Sequence, residues 1–79
     1  MSAMKELVEY IAKSITTDTE AVEVTEHESR HSVSYQLMVA QHDMGRVIGK
    51  HGQMANAMRT LLRVAAVKEG KRVSLEIGE

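Results

Sequence analysis

Gly45-Arg46-Val47-Ile48-Gly49-Lys50-His51-Gly52 is the stretch that decides the fold class of this chain. Gly49 and Gly52 bracket a lysine and a histidine. Glycine has no Cβ, so the backbone of a ligand can approach the main chain closely at both positions. Lys50 supplies a mobile point charge, and His51 a ring donor that can carry charge. Gly52 and Gln53 open a stretch of helical periodicity, and unpaired amides together with the helix dipole favour an anion at such a start. The G-x-x-G pattern alone is weak evidence. With glycine at about 7% of residues, a chain of this length shows one by chance in roughly a third of cases. What flanks the pattern gives it meaning.

Downstream, Met54, Ala57, Met58, Leu61, Leu62 and Ala65 follow helical spacing to about Glu69. Gly70 suits the position just past the helix end, and Lys68 and Lys71 suit the negative end of its dipole. Val73, Leu75 and Ile77 then alternate with Ser74 and Glu76, as in a half-buried strand. Upstream, the spacing predicts a short helical turn from Met44 to Ile48, with the Asp43 carboxylate as its cap. Before it, Val33, Tyr35, Leu37 and Val39 alternate with Ser34, Gln36 and Met38. Glu28-Ser29-Arg30-His31 reads as a turn, and Val22 and Val24 as a first short strand pairing antiparallel with the second. At the start, Met4, Leu7, Val8, Ile11 and Ile15 recur at helical spacing, and the helix fades at Thr16-Thr17-Asp18-Thr19. The order is helix, strand, strand, short helix, long helix, strand. It predicts an α+β fold, αββααβ, with a three-stranded sheet and the helices on one face.

The 79 residues make a single domain, 1–79, with a small core, which a partner surface would help to stabilise. There is no cysteine and no proline. A disulfide framework and a thiolate zinc site are therefore excluded, consistent with a reducing cytoplasm. Lys5, Glu6 and Glu9 interrupt the first apolar residues, which argues against a secretory leader. No apolar run approaches the ~18 residues of a membrane span, so no membrane association is expected. The net charge is −1, but it is unevenly spread. Residues 1–39 set Lys5, Lys13 and Arg30 against Glu6, Glu9, Asp18, Glu20, Glu23, Glu26 and Glu28. Residues 40–72 set Arg46, Lys50, Arg59, Arg63, Lys68, Lys71 and Arg72 against Asp43 and Glu69. Such a split is either one anion-facing side or ordinary decoration of solvated faces.

With the flanking elements in place, Val47-Ile48-Gly49-Lys50-His51-Gly52 resembles the V-I-G-x-x-G signature of KH domains, and the element order resembles their type II, prokaryotic arrangement. The likeness covers nearly the whole chain and is greatest to the bacterial single-KH family KhpA. It implies single-stranded RNA binding, homodimers, a heteromer with a larger KhpB-like partner, and a role as RNA chaperone or post-transcriptional regulator linked to cell shape and the cell envelope. It also places Gly49, Lys50, His51 and Gly52 on the loop that clamps about four nucleotides by their backbone. Met44, Val47 and Ile48 would form an apolar wall of the base groove, with Arg46 and Gln53 beside the loop, and the segment Glu28 to His31, including Arg30, would flank the other side. His51 departs from the residue types commoner at its position.

Other residues add less. Arg59 and Arg63, four apart, share a face of the long helix. They either extend a phosphate track or lie on a solvated face. Tyr10 and Tyr35 are the only aromatics, and Tyr35 falls on the apolar face of its strand, so no exposed aromatic platform for base stacking is expected. Four histidines without confident helical pairing, and without cysteine, argue against a metal site, and no cofactor is implied. No nucleophile–base arrangement is recognisable, so no enzymatic activity is expected. Three functions remain: a single-stranded RNA-binding module, a dimerisation or protein-interaction module on the same scaffold, and a binder of single-stranded DNA, which only contacts to the 2′-OH would separate from the first.

Overall fold

The computed structural model describes residues 2–79. Helix α1 runs Ser2–Ile15, strand β1 Glu23–Glu28, strand β2 Ser32–Met38, the short helix α2 Met44–Ile48, helix α3 Gln53–Lys68 and strand β3 Arg72–Gly78. Short 3₁₀ turns precede β1, α2 and α3. The expected α+β order, αββααβ, is the one observed.

The sheet order is β1-β2-β3, with β2 in the centre. β1 and β2 pair antiparallel, with Val24 opposite Leu37 and Glu26 opposite Tyr35. β2 and β3 pair parallel, with Val33 opposite Val73 and Tyr35 opposite Leu75. Parallel neighbours need a crossover connection, and α2, the loop and α3 provide it. One face of the sheet buries Val24, Val33, Tyr35, Leu37 and Leu75, while Ser34, Gln36, Ser74 and Glu76 stay exposed on the other. The helices cover the first face. Met4, Val8 and Ala12 reach it from α1 at four-residue spacing, Val47 from α2, and Met58 and Leu62 from α3. Burying a side chain such as Leu37 or Leu62 contributes about 1.5–3 kcal/mol.

β1 extends further than the alternation of Val22 and Val24 suggests, through Glu26 and Glu28. Both carboxylates lie in the row that faces the helices, and both have partners there. The Tyr35 hydroxyl donates to Glu26 Oε2 at 2.6 Å. Lys71 pairs with Glu28, and its ammonium holds the Glu28 carboxyl below the usual carboxylate range. Burial, reinforced by the Glu26 carboxylate, pushes the Tyr35 hydroxyl well above the usual phenol range.

Candidate nucleic-acid interface

Three of the four residues of the Gly49–Gly52 loop have positive φ. Gly49 sits at φ 78°, ψ 171°, His51 at φ 57°, ψ 23°, and Gly52 at φ 76°, ψ 12°. The last two are left-handed. Gly49 occupies a region open essentially to glycine alone. A Cβ at Gly49 would stand 2.8 Å from Met54 Cβ and 2.9 Å from Met54 N, so glycine is required there twice over, by torsion and by space. At Gly52 the nearest atom to a Cβ is Asn56 Nδ2 at 3.9 Å, so only the torsion constrains it. His51 is the one non-glycine with positive φ among the described residues. That conformation costs about 1–2 kcal/mol for an L-residue. It turns an exposed ring outward beside exposed Lys50.

The amide reading needs correction. The Gly52 N–H donates to Gly49 O at 3.1 Å, and the Gln53 N–H to Lys50 O. The loop folds back on itself as a 3₁₀ turn, so these two amides are consumed internally. The cationic groups at the loop are the Lys50 ammonium and, one turn earlier on α2, the exposed Arg46 guanidinium, with the exposed His51 ring beside Lys50.

α2 fixes these groups in place. Val47 is fully buried, so it anchors the helix in the core and offers no surface to a ligand, against expectation; Ile48, its neighbour, is 37% exposed. Asp43 does not cap α2 with its side chain as expected. Its buried carboxylate turns to the segment after α1, accepting from the Thr17 N–H, the Thr17 hydroxyl and the Asp18 N–H, each at 3.0 Å. The Thr17 amide, with the Asp18 amide and Thr17 hydroxyl behind it, holds the Asp43 carboxyl below the usual carboxylate range. Arg46 Nε stands 3.6 Å from Asp43 Oδ1. No local sequence signal marks this clamp, because its partners lie 25 and 26 residues apart.

The remaining expected residues are spread out. Gly49, Lys50, His51, Gly52, Gln53, Arg46 and Ile48 gather at the α2–α3 junction. Arg59 lies two turns along α3, beside β3. Its Nε and Nη2 donate to Leu75 O at 3.3 and 3.2 Å, on a strand whose outer edge has no strand neighbour. A cleft of about 240 Å³ opens there, lined by Arg59, Leu62, Arg63, Val73, Ser74 and Leu75. Sequence reasoning named both arginines but missed this β3 wall, since the parallel β2–β3 register is not legible from alternation. Arg30 is not brought to the loop. It sits in the β1–β2 turn at the Ser32/Arg72 end of the sheet, whereas β2 leaves for α2 from its Met38 end. Among the described residues no cluster of three metal-ligating side chains occurs, and no helix is long and apolar enough to cross a membrane.

A parallel β2–β3 pair, crossed over by two helices that meet at a G-x-x-G loop, defines a KH domain of type II. The chain belongs to the KhpA/KhpB KH-domain family, whose model matches residues 5–77. A protein of Caldanaerobacter subterraneus called RNA-binding protein KhpA is 51% identical over 74 residues, which is 94% of this chain and 99% of the relative. One of the same name from Clostridium acetobutylicum is 50% identical over 74 residues, again 94% and 99% of the two chains. A third, from Aquifex aeolicus, is 46% identical over 79 residues, the full length of both. No solved structure matches the chain.

Proposed function

We propose that this chain is a non-enzymatic, single-stranded RNA-binding protein of the cytoplasm, a single KH unit in which the Gly49–Gly52 loop clamps the sugar-phosphate backbone of about four nucleotides. One observation carries this reading. Positive-φ glycines and the tight Gly49–Met54 approach hold the loop against the start of α3, and the side chains that project from it into solvent are Lys50 and His51. Arg46, Ile48 and Gln53 border that loop, and a cleft between α3 and β3 opens about two turns along α3, at Arg59. The name shared by the relatives, RNA-binding protein KhpA, supports the same assignment.

Its wider role is that of an RNA chaperone or post-transcriptional regulator in cell-shape and envelope homeostasis, acting as a homodimer or with a KhpB-like partner. The family description, which joins KhpA and KhpB, supports that partnership. A second reading, a dimerisation module with little affinity for nucleic acid, is favoured by a different observation. Leu61, Val64 and Val67 on α3 are 50%, 57% and 68% exposed, an apolar strip suited to a protein partner.

The deciding experiment replaces Lys50 and His51 together by Asp and follows binding to single-stranded RNA and DNA. Two carboxylates then face the phosphates while both glycines, and hence the loop fold, are retained. Binding of the variant is expected to fall by at least 100-fold, since a favourable charge becomes a repulsive one. Unchanged RNA affinity in a folded double variant would defeat the clamp, and weak binding by both proteins would favour the dimerisation module.

A further inference from the structure

Asp43 is the only charged side chain fully buried among the described residues. A buried carboxylate is costly unless it is paired and hydrogen-bonded. It offers about four acceptor positions. Oδ1 accepts from the Thr17 N–H and the Thr17 hydroxyl, and Oδ2 from the Asp18 N–H, each at 3.0 Å. The carboxylate is thereby tied to the segment that follows α1, although it stands at the start of α2. It is an anion with no freedom to move.

Two further groups stand against it. His42 Nε2 is 3.6 Å from Oδ2 and 3.1 Å from Thr17 Oγ1. Arg46 Nε is 3.6 Å from Oδ1, and the Arg46 side chain is 60% exposed. A hydrogen bond from nitrogen to oxygen spans ~2.7–3.2 Å. With Oδ1 filled by Thr17, the guanidinium is attracted by charge and keeps its donors for another acceptor. Arg59 is the opposite case, since its Nε and Nη2 donate to Leu75 O and its Nη1 to Asn56 Oδ1. Arg46 also lies one turn before Gly49. A fixed buried anion thus sits behind a solvent-facing cation at the entrance to the loop.

We propose that Asp43 is a positioning residue for RNA binding: its immobilised carboxylate holds the Arg46 guanidinium beside the Gly49–Gly52 loop, where Arg46 takes a phosphate of the strand that the loop clamps. This rests on the reading of the chain as a single-stranded RNA binder and adds to it a residue that never touches the RNA. Ordering a long side chain before the ligand arrives removes a cost that otherwise weakens binding by about 2- to 12-fold. The sign of the effect is diagnostic. Asp43 is an acid near a phosphate site, so by long-range charge alone its neutralisation favours RNA. By positioning, the same neutralisation weakens RNA binding.

The test is a double-variant cycle, Asp43→Asn with Arg46→Gln, measured on a short single-stranded RNA at several salt concentrations. Asp43→Asn is expected to bind about 2- to 12-fold more weakly than the parent, and Arg46→Gln at least as weakly. Arg46→Gln should also flatten the slope of log affinity against log salt by about 0.7, the loss of one phosphate contact on a single strand. In the Arg46→Gln background, Asp43→Asn should change affinity by less than about 2-fold. Equal or tighter binding by Asp43→Asn would overturn the proposal, as would an unchanged salt slope in Arg46→Gln. An undiminished loss in the Arg46→Gln background would overturn it too, because Asp43 would then act through the fold and not through Arg46. Should Asp43→Asn fail to fold, Arg46→Lys at the exposed position serves instead. Lysine keeps the charge but carries donors only at its tip, so it cannot face Asp43 and a phosphate together. It should lose about 2- to 12-fold in affinity, and parent-like binding overturns the proposal. Loss of binding on replacing Lys50 and His51 by Asp, with parent-like binding by Asp43→Asn, removes the positioning and leaves the clamp; no binding by the parent protein removes both.

Discussion

Gly49→Ala should be one of the most damaging single-methyl changes the chain can suffer outside its core. The residue sits at φ 78°, ψ 171°, where an L-residue costs about 1–3 kcal/mol. The added Cβ also lands 2.8 Å from Met54 Cβ and 2.9 Å from Met54 N. The second atom belongs to the backbone of the first turn of α3, so relief requires moving the helix, and such overpacking costs about 1–3 kcal/mol more. The sum is about 2–6 kcal/mol. For 79 residues the whole stability is about 4–12 kcal/mol, so the variant loses a large share of it.

Gly52 is the internal control. It has nearly the same φ, 76°, but at ψ 12° it is in the left-handed region that Asn tolerates, and a Cβ there meets nothing closer than 3.9 Å. Gly52→Asn should therefore cost under about 1 kcal/mol, whereas Gly49→Asn should be as harmful as Gly49→Ala. At about 4–8 °C per kcal/mol for a domain of this size, thermal melting should separate the two positions by at least ~4 °C. Should Gly49→Ala melt within a few degrees of Gly52→Asn, the Gly49–Met54 approach does not constrain the loop, and the reasoning from torsion and contact is wrong.

Two further expectations concern stability with pH and assembly. Asp43 has its folded pKa lowered, so its stabilisation is present above the ordinary carboxylate value near ~3.9 and is lost as pH falls through the lower, folded value. Asp43→Asn, which turns an amide toward the Thr17 and Asp18 donors, should be less stable at neutral pH, and its deficit should shrink below about pH 3.9; a deficit constant from neutral to strongly acidic pH would contradict this, and the comparison is unaffected by Glu28, whose carboxyl is also lowered but is common to both proteins. The proposed homodimer predicts that the parent sediments as a dimer and that Val64→Glu, which places a charge in the exposed strip of α3, sediments as a monomer with a melting change within about 0.5 kcal/mol, as for a surface substitution; a monomeric parent would remove the homodimer, and a dimeric variant would move its contact off the strip.

The element order was legible in the sequence because each segment announces its period cleanly. Met4, Leu7, Val8, Ile11 and Ile15 recur at helical spacing, although Leu7 stays exposed and Ala12 takes a core place, and Val33, Tyr35 and Leu37 repeat every two. The loop was legible because only glycine tolerates what Gly49 undergoes. The reading faltered where a residue's partner is distant. Glu28 reads from sequence as part of a turn and the strand stops short of Glu26, because a carboxylate on a core-facing row is costly unless paired, and Tyr35 and Lys71 are not adjacent in sequence. Asp43 looked like a cap for the same reason: a short-range motif was the nearest explanation, while its actual donors lie on the far side of β1 and β2 in the chain. Arg30 was placed beside the groove by family likeness, and the register of β2 with β3 puts it at the other end of the sheet.

The same long-range pairings explain how a chain of net charge −1 can present a cationic loop. Several of its carboxylates are engaged in structure. Asp43 holds Thr17 and Asp18, Asp18 accepts the Ala21 N–H, Glu26 takes the Tyr35 hydroxyl, and Glu28 neutralises Lys71. Each of these contacts lies away from the tip of the Gly49–Gly52 loop. Lys50 and His51 project from that tip into solvent, whereas Arg46, one turn earlier, is 3.6 Å from the Asp43 carboxylate. Within the ~8 Å over which charges are felt at physiological salt, an approaching phosphate therefore meets the loop's cations and not the molecule's average. Net charge is a poor guide to anion binding wherever the acidic side chains have structural work that keeps them at a distance from the site.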